Sequence, residues 1–227
     1  FRSVSLLAGM LTVFSSCEHK DLCFDHDAHA PKSDVHIKAV YEKEWEHTCE
    51  GGPDWEQYPA WESRFGMDYH ELCPDAPDGL RIQVYNEDGT NNVLNVAPEG
   101  DIVRMRPGEH SLLLYNNDTE YIVFDDMNSF ASAKATTRTR TRASYGGNPY
   151  MENTVENTVN APDMLYGNYM ENYTAERKTE TDELPVTMHP LVFTYLVRYE
   201  FSHGLEYVAL ARGALAGMAG AVWLNSG

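Results

Sequence analysis

The chain has 227 residues and a formal net charge of −18 at pH 7, from 35 acidic and 17 basic side chains. So acidic a surface repels nucleic-acid phosphates and offers no basic patch to anionic lipid headgroups, which excludes DNA and RNA as partners. The length suffices for one large or two small domains with a real core.

The N-terminus reads first. Arg2 precedes residues 4–14, an uncharged apolar run of signal-peptide shape. It falls well short of the roughly 20 apolar residues a spanning helix needs. Phe14, Ser15, Ser16 and Cys17 resemble a bacterial lipobox, with small residues before a cysteine whose thiol takes up a diacylglyceryl group. Residues 1–16 are therefore read as a signal peptide, Cys17 as the lipid attachment site and 17–33 as a lipidated tether. A triacylated cysteine anchors firmly where a single chain would not. The alternative is an ordinary secretory signal with a cysteine near its cleavage site. Within the tether, Cys23, Asp25, His26, Asp27 and His29 have metal-ligating chemistry, yet a flexible spacer provides no rigid second shell, so the segment reads as solvated acidic chain.

With Cys17 acylated, Cys23, Cys49 and Cys73 remain, enough for one disulfide. Cys49 to Cys73, bracketing a loop-like segment, is the pairing of choice in an oxidising compartment, with the fully reduced state left open.

Strand signals follow in order. Val35, Ile37, Ala39 and Tyr41 alternate with His36, Lys38 and Glu42, the period of a half-buried strand. Residues 42–78 read as an insertion holding three of the four tryptophans, Trp45, Trp55 and Trp61, beside Tyr58. Those rings form either a satellite core or a flat platform for sugar rings. Residues 80–85 alternate again and meet Asn86-Glu87-Asp88-Gly89, a hairpin turn. Further strands are expected at 102–105, 111–115 and 121–124, the spacing of an all-β sandwich or barrel. In 137–142 threonine alternates with arginine, a charged edge that discourages unwanted pairing. Residues 145–184, rich in Asn, Glu, Thr and Tyr and carrying "YMEN" twice, read as a long surface loop.

The strongest alternation runs through Leu191, Phe193, Tyr195, Val197, Tyr199 and Phe201, which predicts a strand over 191–201. Gly213, Gly217 and Gly220 argue against a helix over 213–224 and for a bend feeding a strand. No catalytic or nucleotide-binding motif occurs, and Asp125-Asp126 reads as a turn rather than a carboxylate pair. No enzyme activity and no cofactor are expected. The sequence opens without Met and stops where a strand meets a turn, so both ends are expected to be cut.

The lipobox cysteine with "EHKDLCFDH", the segment "GEHSLLLYNNDTEYIVFDD", and the late "VTMHPLVFTYLVRYEF" with "ALARGALAGMAGAVWLNSG" resemble the fimbrillin-like lipoproteins of Bacteroidetes. The resemblance implies transthyretin-like β-sandwiches in two tandem domains. The first would span 34–185, and 186–227 would be its last strands or the start of a second, truncated one. It also implies a lipid anchor in the outer membrane, surface exposure, and a role as pilus anchor, accessory subunit or adhesin that pairs with other fimbrial subunits by strand addition. In polymerising members a protease cuts after a basic residue near the N-terminus. Lys43 and Arg64 follow the first strand here without a convincing site context, which favours a subunit that keeps its lipid. The alternative is a glycan-binding surface lipoprotein using Trp45, Trp55, Tyr58 and Trp61, with a glycan or a surface receptor as partner.

Overall fold

Two apolar stripes on the same strands decide the architecture. The computed structural model describes residues 33–42, 60–72, 74–139, 159–195, 199–209 and 217–226, all within the unit Pro31–Gly227. Ten strands are described: β1 (Ser33–Tyr41), β2 (Leu80–Asn86), β3 (Asn91–Val96), β4 (Ile102–Met105), β5 (Gly108–Asn116), β6 (Ile122–Asp125), β7 (Lys134–Thr137), β8 (Tyr166–Ala175), β9 (Asp182–Pro190) and β10 (Ala221–Trp223). Seven pair in the order β3-β2-β5-β8-β9-β1-β4 and three in the order β10-β7-β6. The all-β sandwich expected from the spacing is what the chain forms.

The long sheet bends between β8 and β9, which pair only at Tyr166 with Pro190 and Gly167 with His189. On one side of that corner lie β3, β2, β5 and β8; on the other lie β9, β1 and β4. Their inner faces meet in one core that includes Val35 and Ile37 of β1, Ile82 and Val84 of β2, Val103 of β4, Leu112 and Leu114 of β5, and Met188 of β9. The opposite face of β2 and β5 is buried too. Tyr85, Leu113 and Tyr115 pack there with Ile122 and Ala135 from the three-stranded sheet and with Leu224, just past β10. β2 and β5 thus lie in the middle of three layers. The half-buried reading of 80–85 is corrected on this point, because Gln83 on the supposedly wet face is only 3% exposed. Its amide donates to the Met127 carbonyl at 2.7 Å and its Oε1 accepts from the Tyr115 hydroxyl at 3.3 Å. Tyr85 donates to the same carbonyl at 2.8 Å. A buried amide needs such partners, since an unmet one costs about 1–3 kcal/mol.

The Asp-Gly turn forms as read. Gly89 has φ +80° and donates to Asn86 O, and Asn86 N donates to Thr90 O. Asp88 accepts from the Thr90 amide and hydroxyl, which holds its carboxyl below the usual range. Asp125 ends β6, and Asp126, at φ +55°, turns the chain and pairs with Lys134 at 3.0 Å.

Two expectations fail. Part of the loop read over 145–184 is β8, whose register against β5 shifts between His110 and Leu112. Met170 and Tyr173 both pack on the first core as a result, an offset of three that hides the period of two. The strand predicted over 191–201 is absent among its described residues. β9 ends at Pro190, whose ring offers no ladder donor, and Leu191 N turns to Leu165 O at 2.7 Å. Of the side chains meant for its buried face, Leu191 packs on the second core and Val197 lies outside the described residues, while Phe193 is 49%, Tyr195 60%, Tyr199 60% and Phe201 45% exposed. β10 does follow the glycine-rich bend, and Val222 and Leu224 return the chain to the second core.

Candidate functional site

β1 is the element on which the geometry concentrates. It runs parallel to β9, with Val35 beside Asp182 through Tyr41 beside Met188, and antiparallel to β4, with Ser33 beside Met105 through His36 beside Ile102. Every other ladder among the described strands is antiparallel. Pairing on the β4 side continues past the strand end, because Ile37 N donates to Asp101 O at 3.1 Å and Ala39 N to Glu99 O at 2.9 Å. Gly100 makes that possible. At φ +100° it lies so close to β1 that a Cβ would sit 2.0 Å from the Ile37 carbonyl oxygen. Val35 and Ile37 are fully buried, so β1 fills a slot between β9 and β4 that its own apolar residues seal.

The outer face of the slot is laced with ion pairs. Asp34 accepts from Arg104 at 2.7 Å, and the guanidinium holds its carboxyl below the ordinary value. Glu183 is held low first by Lys38 and then by His36, which lies 3.2 Å away. Glu42, just past the strand, meets His189 at 2.6 Å. Such exposed pairs set register more than stability. At the inner end Tyr41 stands edge-on to Tyr166, ring centroids 5.2 Å apart. Its buried hydroxyl has no hydrogen-bond partner among the described residues, and burial, with Asp118 and Glu99 adding to it, pushes its pKa up to about 12.

Of the residues read from sequence as lipid, disulfide or glycan sites, Trp61 alone is described. It opens α1 (Trp61–Phe65) and packs on Phe65 at 4.4 Å and on Tyr69 at 5.0 Å between ring centroids, a local aromatic cluster. Arg64 lies 5.9 Å from the Phe65 ring. Cys17, Lys43, Trp45, Cys49, Trp55, Tyr58 and Cys73 lie outside the described residues, as do Arg140 and Arg142 of the arginine-threonine alternation; its Thr139 bridges to Val159. Among the described residues no group of three His, Cys, Asp or Glu is placed to hold a metal, and no helix is long and apolar enough to cross a membrane. Sequence reasoning found β1 but not its slot, because the partners come from 102–105 and 182–190. Gly100, within Ala97-Pro98-Glu99-Gly100, had only a loop-like context as its signal.

Residues 56–227 match the family described as "Domain of unknown function (DUF5119)". The chain belongs to that family. It is 24% identical over 174 residues to a Bacteroides ovatus protein named "Putative fimbrium anchoring subunit Fim4B", an alignment covering 76% of this chain and 50% of that protein. A solved structure described as "a putative adhesin", also from Bacteroides ovatus, matches with a TM-score of 0.50 at 24% identity, covering 81% of this chain and 50% of that one. That likeness is one of fold. The chain spans about half the length of the curated relative it matches.

Proposed function

We propose that this protein is a surface-anchored lipoprotein of the outer membrane that serves a fimbrium as its anchor or as an accessory or adhesin subunit, joining other subunits by strand addition. The observation that carries the reading is β1 in its slot. The candidate lipid site, Cys17, lies upstream of Ser33, so β1 is the covalent link between a membrane tether and the sandwich. A pull on that tether loads β1 along its length, against backbone pairing on both edges and an apolar face buried in the core. Shear of that kind breaks many bonds together, which suits an anchor. A subunit that retains β1 stays attached to its lipid.

The similarity to a protein named as a fimbrium anchoring subunit supports the same reading, as does the all-β fold. A tandem second domain belongs to the proposal as well. Trp61, turned onto Phe65 and Tyr69, has the geometry of a satellite core, which weakens the glycan alternative at that residue. The test is Cys17→Ala with detergent partitioning and mass spectrometry. The wild type partitions with detergent and carries acyl chains, and the variant is released with its β circular dichroism intact. A variant still held by lipid, or a wild type without acyl chains, refutes the anchor. Unchanged pili and unchanged adhesion in a deletion strain refute the fimbrial role.

A further inference from the structure

A sandwich that joins other chains by strand addition needs an open edge, and the described strands differ sharply in how their edges are closed. β4 has four residues, carries Arg104 clamped to Asp34, and runs into Arg106 and Pro107. β6 has four residues, ends at Asp125 and is followed by Asp126, and β10 has three. Where β8 and β9 part, Asn168 Nδ2 donates to the Thr187 carbonyl, Ser33 Oγ donates to Glu176 O at 2.6 Å, and Pro185 sits in β9. Short length, charge, proline and side-chain plugs are the usual guards on a sheet edge. β3, Asn91-Asn92-Val93-Leu94-Asn95-Val96, has six residues, no charge and no proline.

The ladder tells which groups β3 leaves outward. Asn86 N bonds Thr90 O, so Asn86 and Thr90 form a hydrogen-bonded pair, and such pairs alternate along an antiparallel ladder. Asn92, Leu94 and Val96 therefore bond to Val84, Ile82 and Leu80 of β2. The N–H and C=O groups of Asn91, Val93 and Asn95 point away from it. No hydrogen bond to those groups is made by a described residue. The apolar side chains along the edge are incompletely covered to match: Leu94 and Val96 pack on the first core but are only partly buried, and Val93 is 51% exposed.

We propose that the edge of β3 left unpaired by the described strands is the strand-addition site, and that its occupant is an extended segment of a different fimbrial subunit, uncharged over about six residues and apolar at alternate positions. This rests on the fimbrial reading above. Six outward backbone groups give the affinity, and Val93 on one face with Leu94 and Val96 on the other select the side chains. The net charge of −18 disfavours a second copy of this chain, since two such surfaces would repel each other beside an edge that carries no countercharge.

The experiment uses the full chain in intact, piliated cells, with a photo-crosslinking amino acid at Val93 and, in a parallel strain, at Ile102, an equally exposed residue on the β4 edge. The expected result is an adduct at 93, identified by mass spectrometry as a fimbrial subunit and reduced at least about tenfold by Asn91→Pro. That proline removes an outward N–H at the first position of the strand, where the ladder to β2 is untouched. Val93→Lys is the second block, read by co-purification of the same fimbrial chain, and it stands in if the proline variant loses its folded circular dichroism. An adduct at 102 but not at 93, or with a second copy only, overturns the β3 site or its occupant while leaving the fimbrial reading in place. No adduct at either position overturns the β3 site; pili lost on deletion then keep the fimbrial reading, and pili and adhesion unchanged remove both.

Discussion

Gly100→Ala tests the slot around β1 directly. The added methyl would sit 2.0 Å from the Ile37 carbonyl oxygen and 2.8 Å from its carbonyl carbon, distances at which the loop must move off the strand. Movement there breaks Ile37 N to Asp101 O and Ala39 N to Glu99 O, at about 0.5–1.5 kcal/mol each. The backbone at φ +100° adds strain of about 1–3 kcal/mol for a residue with a Cβ. The expected loss is therefore about 2–6 kcal/mol. Gly89→Ala supplies the control, since Gly89 has φ +80° and open space around its would-be Cβ, so it shows the strain without the clash. Urea unfolding with unchanged m-value measures both. Amide exchange at Ile37 and Ala39 should quicken in the Gly100 variant alone. If Gly100→Ala costs no more than Gly89→Ala, the loop does not grip β1 and the two-sided slot is wrong.

Three further outcomes follow from buried polar groups. Gln83→Leu removes the donor to Met127 O and the acceptor of the Tyr115 hydroxyl, and should cost about 1–3 kcal/mol in the same unfolding assay, although leucine is the more apolar residue. Tyr41→Phe keeps the edge-on ring contact with Tyr166 and removes a buried hydroxyl without a described partner, so stability should hold or rise by up to about 1 kcal/mol. Burial raises the pKa of Tyr41 to about 12 and that of Tyr85 and Tyr115 above the ordinary 10. An unfolded tyrosine near 10 releases its proton first, so the folded state binds more protons between pH 10 and 12 and stability must fall as pH rises through that window. Spectroscopic titration should show a fraction of tyrosinate appearing only together with unfolding, and a fully reversible titration near 10 with the fold intact would contradict the burial.

How much of this could be read from sequence depended on how many neighbours each strand has. β1 was legible because one face is core and the other solvent, so Val35, Ile37 and Ala39 recur at the simple period. The hairpin was legible because Asp88-Gly89 carries its own turn chemistry. β2 was placed correctly but misjudged in depth, since a Gln held by Met127 O and Tyr115 is indistinguishable in sequence from a wet one. β8 was lost because the extra residue opposite Ser111 breaks the alternation, and because Asn168 serves the strand through a side-chain hydrogen bond to Thr187 O.

The run from Leu191 to Phe201 erred in the opposite direction, and the contrast between it and β3 explains why the candidate site was the least legible part. Alternating aromatics state that a segment can pack as a strand, but pairing needs a neighbour with free donors and acceptors. β9 ends at Pro190, so Phe193, Tyr195, Tyr199 and Phe201 have the pattern without a ladder among the described strands. β3 is the reverse case: its asparagines weaken the pattern, while its ladder to β2 leaves three residues' backbone groups facing outward. Side chains write the first property into the sequence. The second arises from which strand happens to end a sheet, and that is settled by β2 pairing with β5 on its other edge and β5 with β8, contacts that involve no residue of β3. An edge that recruits a partner through its main chain can therefore carry an inconspicuous sequence, and the guards on β4 and on the β8–β9 corner are what make the unguarded one stand out.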